Sequence, residues 1–213
     1  MDSPFSLGAV IPCHKPYIPY LRECLDSIEG QTIKPSAVVV VCSSSKDEDI
    51  PESYKTYSFP LRFITREDER NQAQNRNQGA SVIGTDFITF FDADDVMHPQ
   101  RIELIQRYIS NSDILLHGYK IDEKVFPVIH SPVVYTNELM KAPTGCAIFK
   151  PNWNAPIHHS QVTVRATIMN RVKFREEPEI KRREDSLFCG DILGLGVQNT
   201  YIAESLSWYR LTH

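Results

Sequence analysis

Thr85-Asp86-Phe87-Ile88-Thr89-Phe90-Phe91-Asp92-Ala93-Asp94-Asp95 runs from an apolar, β-prone segment directly into three carboxylates. Phe87 to Phe91 is bulky or β-branched throughout, the composition of a strand buried on both faces. A strand of that kind delivers Asp92, Asp94 and Asp95 together at the carboxyl edge of a parallel sheet, where open α/β folds bind their ligands. Like charges this close repel, so a divalent cation or a set of hydrogen-bond donors has to compensate them. A plainer reading is an acidic turn in which Asp95 caps the next helix.

Outward from this stretch, strands alternate with helices. Leu7 to Ile11 reads as a short apolar strand stopped by Pro12. Tyr20 to Ile28 has helical spacing, with Leu21, Leu25 and Ile28 on one face and Gly30 at its end. Ala37 to Val41, almost entirely valine, is a second strand, followed by the polar loop Ser43 to Asp47. Leu61 to Ile64 is a third strand, Gln72 to Ser81 a helix and Phe87 to Phe91 the fourth strand. Pro99 to Ile109 is a further helix whose core stripe is Ile102, Ile105 and Ile109. These spacings predict an α/β fold with a Rossmann-like, doubly wound, mostly parallel sheet. The second half is less regular. Ile114 to Tyr119 and Val125 to Val128 read as strands, Val162 to Asn170 and Arg183 to Leu193 as helices, and Thr200 to Ala203 as a late strand. Residues 142–156 read as a long loop, a length at which loops tend to bind or cover ligands.

With 213 residues, 41% of them hydrophobic and 23% charged, the chain has the size and composition of one globular domain. A net charge of -4 argues against a protein built around nucleic-acid phosphates. No apolar run reaches membrane-spanning length, and the amino terminus lacks a basic segment followed by an apolar one, so a cytoplasmic protein is expected. Five widely spaced cysteines, an odd number, read as reduced thiols without a zinc-ligand pair.

Several stretches, taken in order, resemble nucleotide-sugar glycosyltransferases of the GT-A fold, in particular the large inverting group called family 2. Ala9-Val10-Ile11-Pro12-Cys13-His14 is similar to the opening strand, and Tyr20 to Ile28 followed by Gln31-Thr32 resembles Y-L-x-x-x-L-x-S-I-x-x-Q-T. Asn75-Arg76-Asn77-Gln78-Gly79 resembles A-R-N-x-G, and Phe90 to Asp95 resembles F-x-D-x-D-D. Arg183-Glu184-Asp185 resembles x-E-D, and Tyr209-Arg210-Leu211-Thr212-His213 resembles Y-R-x-x-H. Each motif is weak alone, but their joint order makes accident improbable. The resemblance implies a single GT-A domain over 1–213, with a nucleotide-binding half, 1–110, and an acceptor-binding half, 111–213.

The implied activity is metal-dependent, inverting transfer of a sugar, of the hexosyltransferase type, from a nucleotide-diphosphate sugar to a glycan or other hydroxyl acceptor. A UDP-sugar is favoured, with a GDP-sugar as the second option. Cleaving the sugar–phosphate bond leaves negative charge on the diphosphate, which a divalent cation stabilises. By resemblance Asp94 contacts that cation, Asp92 and Ala93 face the nucleotide, and His213 closes the metal site. Oxygen ligands suit Mg²⁺ or Mn²⁺, and an imidazole tilts the choice toward Mn²⁺. An acceptor hydroxyl needs a base to take its proton; the resemblance makes Asp185 that base, with Glu184 either orienting it or touching the acceptor. Arg76, and Arg70 as a second, are candidates to pair with the diphosphate or to stabilise the loop under the base; Arg76 reads equally as a structural arginine tying helix to sheet.

This chain departs from the family at the end of the second strand, where two aspartates are usual and Cys42 and Ser43 stand instead. Pro12, His14 and Ser43 are therefore the candidates for the nucleotide side, Ser43 bringing a hydrogen bond but no charge. His158, His159 and Trp153 are candidates for the acceptor side, and Trp208 for the core. Two rivals stand beside this reading. A nucleotidyltransferase would want a glycine-rich phosphate loop after the first strand, and Pro12-Cys13-His14-Lys15-Pro16 contains no glycine. A degenerate sugar-nucleotide-binding domain would explain Cys42-Ser43 but not the retained carboxylates. The reading leaves open whether the chain is part of a longer protein.

Overall fold

The computed structural model describes residues 5–149, 161–180 and 183–211. Its first half comprises β1 (Leu7–His14), α1 (Ile18–Glu29), β2 (Ala37–Ser43), β3 (Leu61–Thr65), α2 (Gln72–Val82) and β4 (Phe87–Phe90). The four strands lie parallel in the order β3-β2-β1-β4. The second half adds β5 (Val96–Met97), α3 (Arg101–Tyr108), β6 (Ile114–Lys120), β7 (Val134–Thr136), β8 (Leu139–Lys141), β9 (Ala147–Phe149), β10 (Val162–Arg165), α4 (Glu184–Leu193) and β11 (Asn199–Trp208). β10 runs antiparallel between β4 and β6, and β6 pairs in parallel with β11, so one sheet crosses both halves. β8 and β9 form a separate hairpin.

Alternation along β1 shows why the sheet is covered twice. Ala9, Ile11 and Cys13 pack with Leu21 and Leu25 of α1 and with Ile102 and Ile105 of α3. Val10 faces the other way, into a core shared by α2 and α4 through Ala73, Phe188 and Ile192. Gly79 allows the close approach of α2 to β1, because a Cβ there would stand 2.5 Å from Val10 Cγ1. Trp208 is buried, as expected. Among the described residues no helix is long and apolar enough to cross a membrane.

Four expectations need correction. β1 does not stop at Pro12 but runs on to His14. The Val10 carbonyl accepts from the Phe91 amide at 3.0 Å, and Pro12, two residues on, turns its missing N–H to the same side, beyond the last β1–β4 pair. The expected helix Val162 to Asn170 is strand β10 followed by a 3₁₀ turn, Ala166–Asn170. Val162-Thr163-Val164 is β-branched, and pairing with strands on both sides decides its conformation. Val125 to Val128 forms no strand: the Pro127 carbonyl is bound by His98 Nε2 at 3.0 Å, and the next amide but one, Ile129, by Gln100 Oε1 at 2.7 Å. The loop expected from residue 142 begins with β9, which folds back on β8, and the rest of it lies outside the described residues.

Candidate active site

A cleft of about 230 Å³ opens at the carboxyl ends of β1 and β4. Pro12 and His14 form one wall, Asp92, Ala93 and Asp94 the other, and Arg70 lies at its edge with the rest of the lining. The cleft is a direct consequence of the strand order. β1 outlasts β4 by four residues past the last shared pair, so the turn after β4 is free to fold beside the exposed end of β1.

The acidic turn is held from beneath. Asp95 is fully buried and accepts the Arg210 amide at 3.1 Å, while Arg210 Nε donates to the Asp94 carbonyl at 3.0 Å. The Arg210 guanidinium also meets Glu23 of α1 and lies over Tyr20 and Trp208. Asp95 therefore anchors the chain after β11 and does not cap α3, whose cap position is Gln100. The fully buried Arg101 lies over the Phe91 ring and donates to Thr89 Oγ1 at 2.8 Å and to His117 Nε2 at 3.0 Å. Burial lowers the Arg101 pKa to about 9, and the Asp95 carboxylate opposes that fall.

The stretch Asn75 to Gly79 divides its work residue by residue. Asn75 Nδ2 donates to the Cys13 carbonyl at 3.0 Å and to Ser43 Oγ at 3.1 Å, joining the ends of β1 and β2. Arg76 points the other way and bonds Asp92 Oδ1 at 3.2 Å and Glu184 Oε1 at 3.0 Å. Asn77 pairs in both directions with the Phe174 backbone, at 2.8 and 3.0 Å. Gln78 Oε1 accepts from Arg70 at 3.0 Å.

Phe174 stacks on Phe188 of α4, ring centroids 3.8 Å apart, and meets Phe90 edge-on. These contacts bring the first turn of α4 to the acidic turn. Glu184 and Asp185 occupy that first turn, where the helix dipole favours negative charge. Asp185 Oδ1 accepts from the Ser186 amide at 2.6 Å. Burial, then the charges of Asp95, Asp92, Asp94 and Asp185, push the Tyr209 phenol above its ordinary range. One side chain thus feels carboxylates from both halves of the chain.

Two sequence-derived candidates stand elsewhere than expected. Ser43 is fully buried behind the cleft wall, 3.1 Å from His14 Nδ1, and so sets the imidazole that lines the cleft. Arg76 is fully buried as well, and two carboxylates occupy it. Conversely, Tyr17, Gln72, Asn75 and Tyr209 line the cleft without having been singled out. Asn75 and Tyr209 each neighbour an arginine inside a quoted motif, which was the available signal; Tyr17 and Gln72 carried none. Trp153, His158, His159 and His213 lie outside the described residues.

For a cation, the donor set is decisive. Among the described residues no group of three or more His, Cys, Asp or Glu side chains could hold one alone. A Mg²⁺-like ion carried by one or two carboxylates and completed by phosphate oxygens needs no such cage. Asp92 and Asp94 in an open cleft fit that arrangement, and do not fit a cation held by protein ligands only.

The family model for glycosyl transferase family 2 matches residues 9–167, well over half of the chain. The chain belongs to that family. It is 29% identical over 220 residues to the uncharacterized glycosyltransferase MJ1057 of Methanocaldococcus jannaschii, covering 99% of this chain and 72% of the relative. It is 24% identical to the putative glycosyltransferase EpsH of Bacillus subtilis, over 90% of this chain and 57% of EpsH. Its fold is that of S. aureus TarS 1-349 in complex with UDP-GlcNAc, with a TM-score of 0.73 and 20% identity over 98% of this chain and 59% of the TarS chain. This family 2 chain therefore spans little more than half the length of EpsH and TarS.

Proposed function

We propose that the chain transfers a sugar from a nucleotide-diphosphate sugar to a hydroxyl acceptor by one direct displacement, with inversion and with help from Mn²⁺ or Mg²⁺. The observation that carries this is the convergence of Asp92 and Asp94, at the edge of the parallel strands, with Glu184 and Asp185 at the start of α4. A UDP-sugar is the favoured donor, because TarS, which shares the fold, is known in complex with UDP and with UDP-GlcNAc.

In this reading residues 1–110 bind the donor. His14, fixed by Ser43, lies beside the nucleotide base, and Arg70 reaches the cleft edge from its bonds to Asp68 and Gln78. Asp92 faces the ribose, and Asp94 would hold the cation. When bound, the cation would neutralise charge that develops on the diphosphate as the sugar leaves. Residues 111–213 bind the acceptor, with Trp153, His158 and His159 as candidates there and His213 as a further metal ligand. Asp185 takes the proton of the attacking hydroxyl, because a neutral hydroxyl is a poor nucleophile. Glu184 is held by Arg76 beside it.

The test replaces one oxygen. Asp185→Asn keeps the shape and removes the proton acceptor, so transfer falls by roughly two or more orders of magnitude while UDP affinity is unchanged. Undiminished transfer, or a product with the donor's anomeric configuration, would contradict the proposal.

A further inference from the structure

We infer that Arg76 is a positioning residue: it sets the first turn of α4, and with it the base Asp185, relative to the donor-side carboxylate Asp92. The inference rests on the glycosyltransferase reading for the meaning of those carboxylates. It concerns a residue for which the sequence leaves open a contact to the diphosphate, support of the loop under the base, or a structural role tying helix to sheet.

The Arg76 side chain is fully buried, whereas its partners Asp92 and Glu184 keep 13% and 12% of their side-chain surface. The guanidinium is thus more deeply placed than both carboxylates, of which Asp92 lines the cleft. Its NH1 goes to Glu184 at 3.0 Å, and its NH2 to Asp92 at 3.2 Å and to Gln72 at 3.3 Å. Its Nε has no hydrogen-bond partner among the described residues, and the Phe174 ring centroid lies 5.2 Å from Cζ. The N-cap residue of α4, Arg183, makes no side-chain cap bond among the described residues, and the Ser186 amide is met from within the helix by Asp185, so the usual anchor ahead of a helix start is missing. Arg76 supplies a fixed point instead, from α2, which is itself packed against β1 through Gly79. Phe188, one turn after Glu184, continues the same contact by stacking on Phe174. A planar fork of donors suits this task, since two carboxylates from distant parts of the chain are held at one distance from a single rigid group.

The experiment compares Arg76→Met, Arg76→Lys, Glu184→Gln and the double variant Arg76→Met/Glu184→Gln. UDP affinity is measured by calorimetry with Mn²⁺, turnover as UDP release from UDP-GlcNAc, and local order as hydrogen exchange at residues 184–189. In Arg76→Met, turnover falls about 100-fold and by at least about tenfold more than UDP affinity, and exchange at 184–189 accelerates about tenfold, the scale of a lost positioning contact. Arg76→Lys, which keeps the charge on a single point donor, recovers part of both effects. The double variant is no slower than the slower single variant, because both changes break the same link. A loss of UDP affinity that accounts for the whole fall in turnover makes Arg76 a donor ligand and overturns the inference. So do unchanged exchange at 184–189 and fully additive effects in the double variant. Should Arg76→Met fail to fold, Arg76→Lys and Glu184→Gln carry the same comparison. A parent protein that neither binds UDP nor releases it from UDP-GlcNAc would count against the glycosyltransferase reading, and hydrogen exchange would still judge Arg76.

Discussion

Two pairs of carboxylates, Asp92 and Asp94 in the cleft lining and Glu184 and Asp185 joined to them through Arg76, are held in place by different means. Asp92 and Asp94 follow β4, all four of whose residues are buried and which has hydrogen-bonded neighbours, β1 and β10, on both sides. Glu184 and Asp185 stand on a ten-residue helix located by side chains: the Arg76 guanidinium, the Phe174 and Phe188 rings, and the backbone contact at Gly190. The Asp92–Asp94 side is thus set by a regular sheet and the Glu184–Asp185 side by individual contacts. A sheet tolerates the loss of one contact better than a short helix does, so lesions in the second half should disturb catalysis and leave nucleotide binding intact.

Three substitutions test that difference, in descending order of expected cost. Phe174→Ala removes a buried ring that joins Phe90, Phe188 and Arg76, and is expected to cost about 3–5 kcal/mol. Chemical denaturation measures the loss; UDP affinity in the surviving folded protein should match the parent. Gly190→Ala comes next, because its Cβ would fall 1.8 Å from the Gly145 carbonyl oxygen, which is backbone and cannot swing aside. The helix must shift, at about 2–3 kcal/mol, with a fall in turnover that exceeds any change in UDP binding. Gly79→Ala is the donor-half counterpart. Its Cβ meets both γ-carbons of the buried, β-branched Val10, at 2.5 and 3.3 Å, rather than backbone, so about 1–2 kcal/mol is expected and turnover per folded molecule is kept. Equal catalytic damage from Gly79→Ala and Gly190→Ala would erase the distinction between the halves.

The same difference explains what could be read from the sequence. The first half is written in local pattern: the valines of β2, the apolar run of β4 and the α1 stripe each announce an element, and the carboxylates follow one of them directly. Pro12 misled because its effect depends on which side of β1 still has a neighbour, a fact of the sheet and not of the residue. Val162 to Asn170 misled for a related reason, since strand pairing overrode the helical spacing. Proximity was legible where a motif names the residue type, as in Glu184, which the structure links through Arg76 to Asp92. The direction in which a side chain points was not. Ser43 looks like a ligand contact in the sequence and Arg76 like either a ligand contact or a structural arginine; both are buried, one bracing His14 and the other two carboxylates. Asn75 and Tyr209, beside arginines in the same motifs, are the ones that reach the cleft.

The account stands or falls on whether the β1–β4 cleft is a metal-assisted nucleotide site whose base lies on α4. Calorimetric titration of UDP into the parent, Asp94→Asn and Asp185→Asn, each with and without Mn²⁺, tests this most directly. The account predicts Mn²⁺-dependent binding by the parent, its loss in Asp94→Asn, and parent-like binding in Asp185→Asn. Parent-like, Mn²⁺-dependent UDP binding by Asp94→Asn would contradict it.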